Sequence, residues 1–132
     1  MTLVVDASTV IAALVDGGPD GRWAEEVLAG QHLVGPHLLP VEVANVLRRS
    51  ALGGDVSADS ASLAHADLLD LPMDLYPYAP FADRVWELRP SITSYDAWYV
   101  ALAEELGAPL ATLDLRLVSS PGPQCRFLTP ES

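Results

Sequence analysis

Short apolar runs alternate along this chain with longer stretches of helical periodicity, and that alternation restricts the fold more than any other feature. Leu3, Val4 and Val5 form a brief strand-like run that ends at Asp6. Ser8 or Thr9 is placed to cap the helical stretch that reaches Val15, and Gly17, Gly18 and Pro19 end it. Arg22 to Ala29 reads as a second helix closed by Gly30, and Leu33 to Gly35 as a second strand. A third helix opens with Pro40 at its first turn and runs to Leu52, where Gly53 and Gly54 stop it. Ser57 or Ala58 to Leu71 predicts a helix, Met73 to Tyr76 a third strand, and Phe81 to Leu88 a helix bounded by prolines. Tyr95, Trp98, Tyr99, Leu102, Ala103 and Leu106 mark an amphipathic helix ended by Gly107. Leu110 to Thr112 and the region of Phe127 supply the last two strands. Strands separated by helices need crossovers, which are right-handed and produce a mainly parallel sheet. The expected fold is therefore α/β, a three-layer α/β/α sandwich over residues 1–132 as a single domain, with function gathered at the carboxyl ends of the strands.

Composition removes several chemistries. The chain has seven basic residues against 18 acidic ones, and all seven are arginines. Without lysine there is no Walker phosphate clamp, no Schiff base, and no lysine of the kind that aspartyl-phosphate enzymes and receiver domains use. A dehalogenase-like phosphatase would also want an acid where Ser8 stands. A net charge of −11 opposes generic attraction to nucleic acid or to an anionic membrane. The single Cys125 excludes an internal disulfide, the apolar run from Thr9 to Val15 is far too short to span a bilayer, and a cytoplasmic location is expected. His32, His37 and His65 lack zinc-ligand spacing.

Four acids occupy positions of one kind. Asp6 ends the first strand, Glu42 and Asp96 lie in the first turns of helices, and Asp114 follows the fourth strand. Helix N-termini attract acids for their own reasons, so Glu42, Asp96 and Asp114 each have a structural explanation. Asp6 is harder to explain that way. If the four converge, their repulsion raises their pKa values unless positive charge sits between them, and a hard divalent cation is the economical source of it.

These residues resemble a known family. The start "LVVDAS", the helix "VEVANVLRR", the segment "SYDAWYVALAEELGAPLATLD" and the total length are similar to the PIN-domain ribonucleases, specifically VapC-type toxins of toxin–antitoxin pairs. The resemblance implies that Asp6, Glu42, Asp96 and Asp114 are the catalytic residues that hold Mg²⁺ or Mn²⁺ and cleave RNA. Ser8 and Thr112 match family positions that carry a hydroxyl near the acids. Asn45 and Arg49 share the polar stripe of Glu42 and are candidates to meet the substrate phosphate, a solvated surface explaining Arg49 equally well, and Arg22, Arg48 and Arg116 are further candidate phosphate contacts.

The family also implies a structured RNA substrate, transfer or ribosomal, cut to inhibit translation and to leave 5′-phosphate and 3′-hydroxyl ends. It implies a homodimer neutralised by a VapB-type antitoxin, with no membrane partner and with DNA reached only through the antitoxin. Setting aside the four acids leaves a charge of −7, which suits a basic inhibitory segment and limits casual RNA binding. The rival expectation is a PIN-fold binding or regulatory subunit with little turnover.

Overall fold

The computed structural model of the protein describes residues 1–130. Its elements are β1 (Thr2–Val5), α1 (Ala7–Val15), α2 (Pro19–Leu28), β2 (His32–Pro36), α3 (Leu39–Leu52), α4 (Ala58–Asp70) and β3 (Met73–Tyr76). A 3-10 turn at Ala79–Phe81 leads into α5 (Ala82–Glu87), followed by α6 (Ser94–Leu106), β4 (Leu110–Ala111), α7 (Leu115–Ser119) and β5 (Phe127–Leu128). The five strands lie in the order β3-β2-β1-β4-β5, and every neighbouring pair is parallel. The α/β sandwich read from the alternation is the observed fold.

Parallel strands cannot follow one another without a crossover, so the helices must cover the faces. Moving from β1 through β2 to β3 in one direction places α1 to α4 on one face by the right-handed rule. The return from β3 to β4 places α5 and α6 on the other. The contacts agree: α1 packs on α2, α3 and α4, whereas α6 packs on α5 and on β1, β2 and β4. A strand covered on both faces must be apolar throughout. Leu3, Val4 and Val5 of β1, Leu33 and Val34 of β2, and Leu110 and Ala111 of β4 are all buried. Of the aromatic residues, Phe81 enters the core, Trp23 and Tyr76 pack against its edge, and Trp86 stands 63% exposed.

Several boundaries differ from the sequence expectation for local reasons. Asp6, rather than Ser8 or Thr9, caps α1, because its carboxylate accepts the backbone N–H of Thr9 and the helix begins one residue later. The second helix starts at Pro19, three residues before the expected Arg22, since proline suits a first helical turn. The fourth strand ends at Ala111, and a short α7 that periodicity did not reveal follows it, capped by Asp114. Gly107 closes α6 at φ +61° and turns the chain toward β4, its N–H bonded to carbonyls in the last turn.

The α5 and α6 layer is tied to the C-terminal segment by Glu104. Its carboxylate accepts Arg84 through Nε at 2.7 Å and Nη2 at 3.1 Å, and the backbone N–H of Gln124 at 2.7 Å. On the opposite face, Gly21 lets α2 approach the end of α1. A β-carbon there would stand 1.7 Å from the Asp16 carbonyl oxygen. Gly21→Ala is therefore expected to destabilise the fold by about 1–3 kcal/mol, seen as a lowered urea midpoint at constant slope. An unchanged midpoint would mean that the two helices do not meet so closely.

Candidate active site

The strand order reverses at β1: the chain leaves it on one side for β2 and β3 and returns on the other to β4. At such a point the loops leaving neighbouring strands diverge and open a crevice at their carboxyl ends. Asp6 leaves β1 and Thr112 leaves β4, so the sheet order itself brings them together.

Asp6 is 9% exposed and firmly held. Its Oδ1 accepts Ser8 Oγ at 2.7 Å and the Thr9 N–H at 3.0 Å, and its Oδ2 accepts Thr112 Oγ1 at 2.5 Å. Three of roughly four lone-pair directions are thereby used, and the unengaged one is on Oδ2. The same hydroxyls reach further. Ser8 Oγ accepts the Leu113 N–H, Thr112 Oγ1 accepts the Asp114 N–H, and Thr9 Oγ1 donates to the Ala111 carbonyl. The β1–α1 and β4–α7 junctions are thus stitched around one carboxylate.

The other three acids come from three further elements. Asp114 caps α7, with Oδ1 accepting the N–H groups of Arg116 and Leu117. Thr93 caps α6 by accepting the Asp96 N–H, which fixes Asp96 in its first turn. Glu42, in the first turn of α3, accepts the Tyr99 hydroxyl on Oε1 at 2.6 Å. Tyr99 was not singled out as a site residue by sequence reasoning. Its signal was its position three residues after Asp96, which places both on one stripe of α6.

The carboxylates sense one another. Burial raises the Asp6 pKa against its three hydrogen bonds. Burial also raises Glu42, more than the Tyr99 hydrogen bond lowers it, with the charges of Asp96 and Asp6 adding to the rise. Asp96 is raised by burial and then by Asp114 and Asp6, partly offset by Thr93 and Arg116. The Tyr99 hydroxyl, buried and hydrogen-bonded to Glu42, keeps its proton.

All four donors are hard oxygens, the kind Mg²⁺ and Mn²⁺ take, and the repulsion among them is what a dication would relieve. As they stand, no three His, Cys, Asp or Glu side chains among the described residues are gathered tightly enough to hold a metal ion. The set fits a hard cation in kind. It is not closed into a cage while Asp6, Glu42 and Asp114 are engaged by their own hydrogen bonds.

An open cleft of about 540 Å³ adjoins the acids, lined by Asp96, Asp114, Thr93, Ser91, Arg89 and Arg116 among others. Arg116 stands in it fully in solvent, its Nε 4.0 Å from Asp114 Oδ1. Asn45 and Arg49 are exposed on α3, at helical spacing from Glu42. Arg48 lines a separate groove between α3 and α4 with His65, and Arg22 reaches back to the Gly17 carbonyl. Arg89 was not among the predicted contacts. His32 pairs with Asp74 at 2.6 Å, away from the acids.

Known proteins agree with this architecture. The PIN domain family matches residues 3–120. Ribonuclease VapC1 of Mycobacterium tuberculosis is 40% identical over 125 residues, covering 94% of each chain. The crystal structure of PAE2754 from Pyrobaculum aerophilum superposes with a TM-score of 0.73 at 26% identity, covering 99% of this chain and 85% of that one. The structure of VapBC2 from Rickettsia felis, bound to a DNA fragment from its promoter, shares the fold with a TM-score of 0.68 at 12% identity over 98% of both chains. The chain belongs to the PIN-domain family and, within it, to the VapC ribonucleases. No helix among the described residues is long and apolar enough to cross a membrane.

Two outcomes follow from the geometry. Thr112→Val leaves Asp6 Oδ2 without its donor, so the fold should lose about 1–3 kcal/mol by urea denaturation. Raised carboxyl pKa values mean that the folded state holds protons the unfolded chain has lost. The contribution of these three groups to the stability of the metal-free protein is therefore fullest below the ordinary carboxyl range and falls as pH rises through the raised values. Asp96→Asn removes one repelling charge, and it should raise the melting temperature at pH 7 and flatten this decline. A lowered melting temperature at neutral pH would contradict the repulsion.

Proposed function

We propose that this chain is the toxin of a toxin–antitoxin pair, a Mg²⁺- or Mn²⁺-dependent endoribonuclease that cuts structured transfer or ribosomal RNA and so inhibits translation. The observation that carries the reading is that Asp6, Glu42, Asp96 and Asp114, from four separate elements, lie within electrostatic reach: Glu42 feels Asp96 and Asp6, and Asp96 feels Asp114 and Asp6. The pKa values of Glu42 and Asp96, raised first by burial and further by neighbouring acids, are in a family of ribonucleases the mark of a site that wants positive charge.

Asp6 is the fixed point of the site, since Ser8, Thr9 and Thr112 orient both of its oxygens. Tyr99 occupies Oε1 of Glu42 and not Oε2, while the α7 cap engages Oδ1 of Asp114 and not Oδ2. These remaining oxygens and Asp96 would hold the cation. A bound divalent cation supplies, at this position, the charge that lowers the pKa of water and stabilises the oxygens entering and leaving phosphorus. Arg116, beside Asp114 and Asp96, is placed to meet a phosphate of the substrate, and Asn45 and Arg49 extend the same side of α3. Products with 5′-phosphate and 3′-hydroxyl ends follow from the resemblance.

The acidic surface favours a basic inhibitory segment, and the fold neighbour determined as VapBC2 on promoter DNA supports a VapB-type antitoxin as partner. We place DNA contact with that partner, and a homodimer as the working assembly.

Purified protein freed of its antitoxin should cleave RNA only with Mg²⁺ or Mn²⁺, and Asp6→Ala should reduce cleavage by at least about 100-fold. The same ions should raise the melting temperature, by an amount set by RT ln(1 + [L]/Kd), about 2.7 kcal/mol at a hundredfold excess over Kd. Absence of both responses would favour the binding-subunit alternative.

A further inference from the structure

The cleft beside Asp96 and Asp114 has a second wall that the carboxylates do not require. It is formed by the turn between α5 and α6, with Arg89, Ser91 and Thr93 facing the opening. Arg89 is exposed yet held in place. Its guanidinium carbon lies 4.5 Å from the centroid of the Trp86 ring, and its Nη1 donates to the Trp86 carbonyl oxygen at 2.7 Å. One of its five N–H donors is engaged there, and the remaining donors stay available.

Trp86 itself is 63% exposed even beneath this cover. A tryptophan offered to water in a chain with a well-filled core is an interaction surface rather than a packing element. Arg84, the nearest arginine in sequence, is by contrast bound to Glu104. In a chain of charge −11, Arg89 and Arg116 offset Asp96 and Asp114 around one cleft, which makes its lining locally neutral.

We propose that Trp86 and Arg89 form a nucleotide platform: Arg89 binds a phosphate of RNA neighbouring the scissile bond, and the base of that nucleotide stacks on the Trp86–Arg89 pair. The proposal rests on the ribonuclease reading of the site. Unpaired bases stack on aromatic rings and on guanidinium planes without regard to sequence, and a fork of N–H donors matches phosphate oxygens. The stack holds the guanidinium in advance, so less conformational freedom is lost on binding. It also compensates for a surface whose overall charge repels RNA.

The test reads binding apart from cleavage, using the full chain carrying Asp6→Asn and, as probes, bulk transfer RNA and purified ribosomal RNA in filter binding. Trp86→Ala and Arg89→Ala should each weaken binding to the preferred probe by about 5- to 20-fold. Arg89→Ala should also lower the slope of log affinity against log salt by about one. Trp86→Phe should keep most of the affinity, and Arg89→Lys, which keeps charge but loses the plane, should recover only part of it.

Arg126→Ala removes the same charge from a groove bordered by Glu104 and Gly107 and should leave affinity within about twofold. With Asp6 restored, the platform variants should raise KM and leave kcat nearly unchanged. Parent-like affinity in both Trp86→Ala and Arg89→Ala, or an equal loss in Arg126→Ala, overturns the platform while RNA cleavage by the unsubstituted chain stands. An unsubstituted chain that cuts neither probe with Mg²⁺ or Mn²⁺ overturns the ribonuclease reading, and the affinity comparison then decides the platform by itself.

Discussion

One buried carboxylate organises the edge of this sheet. Asp6 leaves the end of β1 at the place where the strand order reverses, and three hydrogen bonds from Ser8, Thr9 and Thr112 hold it there. Burial of an acid costs free energy that only such bonds offset. They do more than offset it, because the donors belong to two different strand–helix junctions. Ser8 and Thr112 each accept a second hydrogen bond from the backbone N–H groups of the β4–α7 segment, so the position of Asp114 depends on the position of Asp6. Helix α7, only five residues long, is anchored through this network rather than through its own propensity.

Around that anchor the site is built in electrostatic tension. Glu42 and Asp96 have raised pKa values, first because they are partly buried and then because each feels its neighbours. Tyr99 and Thr93 moderate this with hydrogen bonds that also orient the two acids. Keeping Glu42 and Asp96 partly buried beside other acids gives up stability at neutral pH, and the proposed cation would return it. The same arrangement explains why net charge misleads as a guide to this protein. The overall excess of acid describes the surface, whereas the cleft sets an acidic floor against arginine-bearing walls.

The legibility of the fold and the site followed from how local each signal was. β1 and β2 were readable because buried parallel strands are continuously apolar, and α3, α4 and α6 because they carry caps, glycine stops and a clear period. Helix α7 and the short β4 and β5 were less distinct, since two to five residues are too few to show a period. Asp6 was misjudged in one respect: Ser8 and Thr9 are the usual capping residues, yet the acid itself caps α1, with the Ser8 hydroxyl donating to it and the Thr9 hydroxyl bonded to the Ala111 carbonyl. Tyr99 and Arg89 were missed because one reads as core and the other as solvated charge. Each became a site residue only through a partner distant in sequence or a fold-dependent opening, Glu42 in one case and the cleft in the other.

The sequence by itself determined the class of fold and singled out the four acids as candidates, because periodicity, turn residues and the motifs around Asp6, Asp96 and Asp114 are all local properties. Only the tertiary structure decided which hydroxyls hold Asp6, that Tyr99 grips Glu42 from across the sheet edge, and that Arg89 and Arg116 rather than Arg48 border the cleft. Those choices depend on strand order and helix rotation, which are fixed by packing of the whole core and leave no trace in any short segment of the chain.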